Sequence, residues 1–99
     1  MKLLLHIEAT AELDAAVAWY EHEQEGLGFE MLEEVDRAFA VILESPTTWP
    51  LARPGSSLRR FVLTRFPYTI IYSASQEWLR VFAVAHHKRR PGYWRARRF

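Results

Sequence analysis

The residues best suited to chemistry crowd one stretch of the chain. From His86 to Phe99 the sequence reads HHKRRPGYWRARRF, in which Lys88, Arg89, Arg90, Arg95, Arg97 and Arg98 accompany two histidines and no acid. Cations at this density neutralise phosphates, and Tyr93 or Trp94 can stack on unpaired bases, so the segment has the make-up of a nucleic-acid contact. The same make-up serves a solvated basic tail whose Tyr93 and Trp94 pin it to the body, and composition alone leaves the two readings even. His86 and His87 are adjacent, so in extended backbone they point to opposite faces and only one can serve a given small ligand. Imidazole is the side chain most easily poised for proton transfer near neutral pH. Arg59, Arg60 and Arg65 bracket an apolar run further back. Arg60 falls on the face opposite Arg59, and Arg60, Arg65 and Arg80 can extend a positive surface beside the tail.

Other chemistries are excluded or find no support. Without cysteine there is no disulfide scaffold, thiolate metal site or cysteine nucleophile. His6 and His22 lie far from His86 and His87, so neither a metal nor a cofactor is expected. There is no glycine-rich phosphate loop and no serine nucleophile elbow. Glu21, Glu23, Glu25, Glu30, Glu33 and Glu34 have no convergent pairing and read as solvated helix faces. The apolar run at Leu3-Leu4-Leu5 is cut by His6 and Glu8, too early for a secretory leader, and no run nears the roughly 18 residues of a membrane span. A cytoplasmic protein is expected.

The formal charge of +1 hides a strong asymmetry. Up to Ser45 the only cations are Lys2 and Arg37, against eleven acids; beyond it, eleven cations face Glu77 alone. Such a split points to an anionic partner for the basic half, or to two halves that attract each other within the fold.

Positioning these residues requires the following elements. Leu3, Leu5 and Ile7 alternate with polar neighbours and predict a short strand. Thr10 is the expected cap of a first helix, with Glu12 and Asp14 in its first turn and Leu13, Ala16, Val17 and Tyr20 along its apolar stripe. Gly26-Leu27-Gly28 ends it, one glycine suiting a left-handed C-cap. A second helix over 29–44 is predicted from Phe29, Leu32, Val35, Phe39 and Ile42, giving an antiparallel hairpin closed by Pro46. The stretch 45–57 reads as a surface loop anchored by Trp49. Strands are predicted over 60–64, 68–72 and 79–85, joined by tight turns. The fold class is therefore α+β: one domain over 1–99, in which a helical hairpin packs on one face of a four-stranded, mainly antiparallel sheet in the order β-α-α-β-β-β. The other face is left free to carry a site.

This order and these residues resemble the RelE/ParE superfamily of toxins nearly end to end. The resemblance runs through Ala11-Glu12-Leu13 and Trp19-Tyr20-Glu21, Gly26-Leu27-Gly28, Pro46, Arg59-Arg60-Phe61, and Phe66-Pro67-Tyr68-Thr69-Ile70-Ile71-Tyr72. Its most specific part is Val84-Ala85-His86-His87-Lys88-Arg89-Arg90-Pro91-Gly92-Tyr93-Trp94, which is similar to the ending of ParE-like members. The resemblance implies the growth-inhibiting toxin of a type II toxin–antitoxin system, of the kind used in plasmid stabilisation, held inactive in a hetero-oligomer by a cognate antitoxin.

The two branches of the superfamily imply different targets. ParE-like members poison DNA gyrase, which would place Arg60, Arg65, Lys88, Arg89, Arg90, Tyr93, Trp94 and Arg97 in a target-binding surface. RelE-like members are metal-independent endoribonucleases that cut mRNA on the ribosome. That branch would use His86 or His87 for proton transfer, Tyr93 as its partner and Arg60, Arg65 and Arg89 on phosphate. Ribonuclease members commonly carry an arginine where this chain has Thr69, and threonine offers no charge to a phosphorane. That departure, with Phe66-Pro67-Tyr68 and Tyr93-Trp94, favours the ParE side. A nucleic-acid-binding domain without catalysis is the third reading, so enzymatic activity stays open.

Overall fold

The computed structural model describes residues 1–99. Its elements are β1 (Lys2–Leu5), α1 (Ile7–Glu23), α2 (Leu27–Glu44), β2 (Arg59–Val62), β3 (Tyr68–Ala74) and β4 (Trp78–His86). The sheet order is β1-β4-β3-β2, with β1 parallel to β4 and the other neighbours antiparallel. The hairpin α1–α2 is the crossover between β1 and the rest, as a parallel pairing requires a long connection. The predicted α+β class and element order are those of the structure. No helix is long and apolar enough to cross a membrane.

Several boundaries differ from expectation for identifiable reasons. His6, not Thr10, caps α1: its Nδ1 accepts from the Glu8 amide at 3.0 Å, and its carbonyl accepts from the Thr10 amide at 3.0 Å. The His6 amide still donates to the Val81 carbonyl at 2.9 Å, so one residue both ends the strand and starts the helix. Ile7, counted in the strand by its alternation, lies in the first helical turn and is 80% exposed. Glu12 thereby moves out of the first turn to a place facing the sheet.

The hairpin turn is built by Glu21. Its carboxylate accepts from the amides of Gly26 (3.1 and 3.0 Å) and Gly28 (3.0 Å), putting an anion at the N-terminus of α2. Gly26, at φ +88°, caps α2 rather than α1. Gly28 lets the helices close on each other, since a Cβ there would stand 2.5 Å from the Val17 carbonyl oxygen. This contact helps fix the rotation of α2. Met31, Val35, Ala38, Phe39 and Ile42 line up with Gly28 on the buried face, with Glu34 beside them. Phe29 and Leu32, expected in the core, fall on the neighbouring ridge, and Phe29 is 64% exposed.

The main core lies between the hairpin and one sheet face, filled by Leu13, Met31, Val35, Ile42, Ile70, Tyr72, Leu79, Val81 and Val84. Buried Tyr72 satisfies its hydroxyl by donating to the Pro46 carbonyl at 2.7 Å, which ties down the start of the 45–58 connection. Trp49 anchors the same connection edge-on against Phe61, at 4.7 Å between centroids. Glu34 is the buried acid of α2. It accepts from the Thr64 and Arg65 amides at 2.9 and 3.0 Å, capping the turn between β2 and β3.

A β-bulge in β4 decides what faces outward. Tyr72 pairs with Val81 and Ile71 with Ala83, so Phe82 is an extra residue. Val81 and Val84 can therefore both face the helices, while Ala83 and Ala85 join Ile71 on the opposite face. That face was expected to be free. Instead Trp94 lies on Ile71, Ala83 and Ala85 and is itself only 9% exposed.

The Gly28 contact makes a prediction with an unusual sign. Gly→Ala inside an ordinary helix stabilises by up to about 1 kcal/mol. Gly28→Ala is expected to destabilise by about 1–3 kcal/mol, because the added methyl meets backbone. Urea denaturation monitored by circular dichroism measures the difference.

Candidate functional site

After β4 the chain makes a series of tight turns. The Lys88 amide donates to His86 Nδ1 at 3.0 Å, and the Arg89 amide to the His86 carbonyl at 3.0 Å. Further turns close from Tyr93 to Arg90, Arg95 to Gly92 and Arg97 to Trp94. Pro91 supplies no amide, and Gly92 takes φ +76°, so the segment bends where a helix would otherwise continue.

This segment folds around one carboxylate. β1 ends opposite Val81, so beyond that point β4 has lost its neighbour on that side. The exposed edge is satisfied by side chains. The Val84 amide donates to Glu12 Oε1 at 3.0 Å, and Arg97 Nη1 donates to the Phe82 carbonyl at 2.8 Å. Arg97 also grips Glu12 through both terminal nitrogens, Nη1 to Oε1 at 3.1 Å and Nη2 to Oε2 at 2.7 Å. The Tyr93 hydroxyl donates to Oε2 at 2.6 Å, and Arg89 Nη1 reaches the same oxygen at 3.3 Å. Burial pushes the Glu12 carboxyl up, but hydrogen bonds from Arg97, Tyr93 and Val84 outweigh it and hold the group below its usual range. Burial, reinforced by Glu12, pushes the Tyr93 phenol far above its ordinary value. The Arg89 guanidinium lies over the Tyr93 ring at 3.6 Å.

Outside this cluster lies a cavity of about 220 Å³ on the outer sheet face. Ile71 and Ala85 contribute apolar lining, and Arg53, Arg60, His87, Arg89, Arg90 and Arg95 contribute cationic or titratable groups, with no acid in the lining. Arg60 is steadied by donating from Nε to the Leu51 carbonyl at 3.3 Å. His87 Nε2 is hydrogen-bonded to Thr69 Oγ1 at 2.9 Å. His86, the last residue of β4, also lines the cavity, but its ring meets Tyr68 edge-on at 4.9 Å, whereas His87 lies in the turn that follows.

The structure thus brings Arg60, His86, His87, Arg89, Arg90 and Tyr93 to one cavity and leaves Lys88 exposed at the turn beside it. Arg65 does not join them: its guanidinium pairs with Glu30 at 2.6 Å and lies over Phe66. Trp94 lines the cavity but spends its indole on the sheet, and the Arg97 side chain is only 9% exposed and turned inward to Glu12. Both hold the segment in place rather than present it. Sequence reasoning missed Arg53 and Glu12. Arg53 comes from the 45–58 connection, brought in by the Ala52 amide bonding to the Leu58 carbonyl at 2.8 Å, and no local pattern announces it. Glu12 carries one usable signal, a position on the same helical face as Ala16, four residues on.

No protein-family model and no curated protein matches the sequence. Among solved structures, a chain of "Chromosomal ParDE TA system from P. aeruginosa" superposes with a TM-score of 0.62 at 16% identity, over 87% of this chain and 95% of that one. The fold is ParE-like. At that identity the likeness lies in the arrangement of the helical hairpin and mixed sheet.

The anchoring role of Trp94 can be separated from surface exposure. Trp94→Ala is expected to lower the unfolding free energy by about 3 kcal/mol. Lys88→Ala, at an exposed turn, should stay within about 0.5 kcal/mol. Equal losses in urea titrations would return Trp94 to the surface.

Proposed function

We propose that this chain is the toxin of a type II toxin–antitoxin pair, acting in the cytoplasm by binding and poisoning DNA gyrase and neutralised by a cognate antitoxin. The observation that carries the reading is a ParE-like fold whose outer sheet face holds a cationic cavity without a single acid. Arg60, Arg89 and Arg90, with Lys88 beside them, form the contact surface, joined by Arg53 and Arg95. Arginines around an apolar floor suit a partner that presents anionic groups on a shaped surface, as a protein bound to DNA does.

Binding is favoured over RNA cleavage by the state of the proton-transfer candidates. The Tyr93 hydroxyl is committed to Glu12, and its proton is held more tightly than that of a free phenol, the reverse of what a proton acceptor needs. His87 is bonded to Thr69, which occupies the position where a phosphorane-stabilising arginine would stand. The antitoxin is expected to shield the contact surface or hold it away from its target.

Expression of the chain alone in bacteria should halt growth with DNA replication stopping first, and the purified protein should inhibit gyrase. The double charge reversal Arg60→Glu with Arg90→Glu should weaken both effects at least about tenfold, since it puts repulsion where attraction stood. Translation arrest with messages cut within codons would replace this reading with the ribonuclease one, and unimpaired growth would remove both.

A further inference from the structure

We infer that Glu12, on α1, is the positioning residue for the whole C-terminal segment, organising residues 88–99 as a unit that its removal frees while the helices and sheet stay folded. That the organised surface is the target contact rests on the proposed function; that Glu12 organises it does not.

The argument begins with the backbone. The last main-chain bond from this end of the chain to the body outside β4 runs from the His87 amide to the Pro67 carbonyl, at 2.9 Å. Beyond it, every backbone-to-backbone bond made by residues 88–99 closes a turn at the end of β4 or within the segment itself, and none reaches α1, α2 or another strand. The segment is therefore held to the body by side chains, and such attachments can open without unravelling a ladder.

Those side-chain attachments converge. Tyr93, Arg97 and Arg89 all reach the Glu12 carboxylate. Arg97 is further fixed on the Phe82 carbonyl, and the outer rim of the cluster is closed by Glu8, whose Oε2 lies 3.8 Å from Arg97 Nε. The remaining ties are Trp94 on the sheet and the final residues, where the His6 ring nitrogen Nε2 donates to the Arg98 carbonyl at 3.1 Å and Phe99 packs edge-on against Phe82. Removing Glu12's charge strands a guanidinium in a place only 9% open to water and leaves the Val84 amide with a weaker acceptor. The arginine regains hydration by moving out, and the turns between it and Arg89 move with it. Arg89 and Arg90, which flank the cationic cavity, then lose their fixed positions without themselves being altered.

The test compares the full-length wild type with Glu12→Gln and Glu12→Asp by amide hydrogen exchange at neutral pH, alongside growth arrest on induction. With Gln, the amides of Val84, Tyr93, Arg95 and Arg97 should exchange at least about tenfold faster, while core amides such as Ile70 and Leu79 keep their rates. Asp, charged but one methylene short, should fall between. Growth arrest should weaken in the same order. Unchanged protection of Tyr93 to Arg97 in the Gln variant would overturn the inference and leave Trp94 as the holder. A uniform rise across core and segment would overturn it too, making Glu12 a general stabiliser. Should the Gln variant fail to fold, Arg97→Lys, which keeps the charge but loses the forked grip, must show the same segment-limited rise. Freed amides with undiminished arrest would uphold Glu12 as the organiser of the segment and overturn the segment as the target contact. A wild type that never arrests growth would count against the proposed toxin function alone, since the exchange data would still decide the inference.

Discussion

A carboxylate taken out of water must be met by donors, and here one carboxylate is met by four groups from distant parts of the chain. Glu12 fills the gap where β1 stops and β4 continues, a place where an amide and a carbonyl would otherwise face nothing. Arg97 completes the repair by taking the carbonyl of the bulged residue. The pair acts as a short surrogate strand made of side chains. Arg89 and Tyr93 stack on each other as both reach that carboxylate, and Trp94, next to Tyr93, is seated on the outer face.

The same view resolves the charge asymmetry. Attraction between an acidic half and a basic half accounts for part of it: Glu12 holds Arg97 and Arg89, and Glu30 holds Arg65. These are the only cations beyond Ser45 with a carboxylate partner. Arg53, Arg59, Arg60, Arg80, Lys88, Arg90, Arg95 and Arg98 have none, and four of these eight line one cavity. Internal neutralisation is therefore too small to explain the surplus, half of which gathers at the cavity on the sheet face opposite the hairpin.

Much of the fold was legible because it rests on local periodicity. The apolar stripe of α1, the β-rich runs and the turn glycines act over a few residues and translate directly into elements. The failures share a different cause. The rotation of α2 depends on Gly28 meeting Val17, so Phe29 and Leu32 could not be placed from spacing alone. The bulge at Phe82 breaks a parity that looks regular in the sequence. The role of Glu12 depends on Val84, Tyr93 and Arg97, more than seventy positions away, and nothing near Glu12 encodes them. The candidate site was legible as composition: Arg60, His87, Arg89 and Arg90 do meet. The division of labour among the aromatic and basic residues was not, because Trp94 and Arg97 have the types expected of contact residues and are spent on holding the segment.

The parallel pairing of β1 with β4 also sets an order of assembly. The hairpin can form from neighbouring sequence, with Glu21 capping the helix that follows it, and β2 to β4 can pair through short turns. β1 has only residues 78–81 as its partner, so the loop it must close is the longest in the sheet. On a ribosome β1 emerges well before β4, so their pairing must wait until residues 78–81 have been made. The basic segment waits on the same closure, since the carboxylate it bonds to sits on α1, next to β1, and the groups that meet it lie 72 to 85 positions further on.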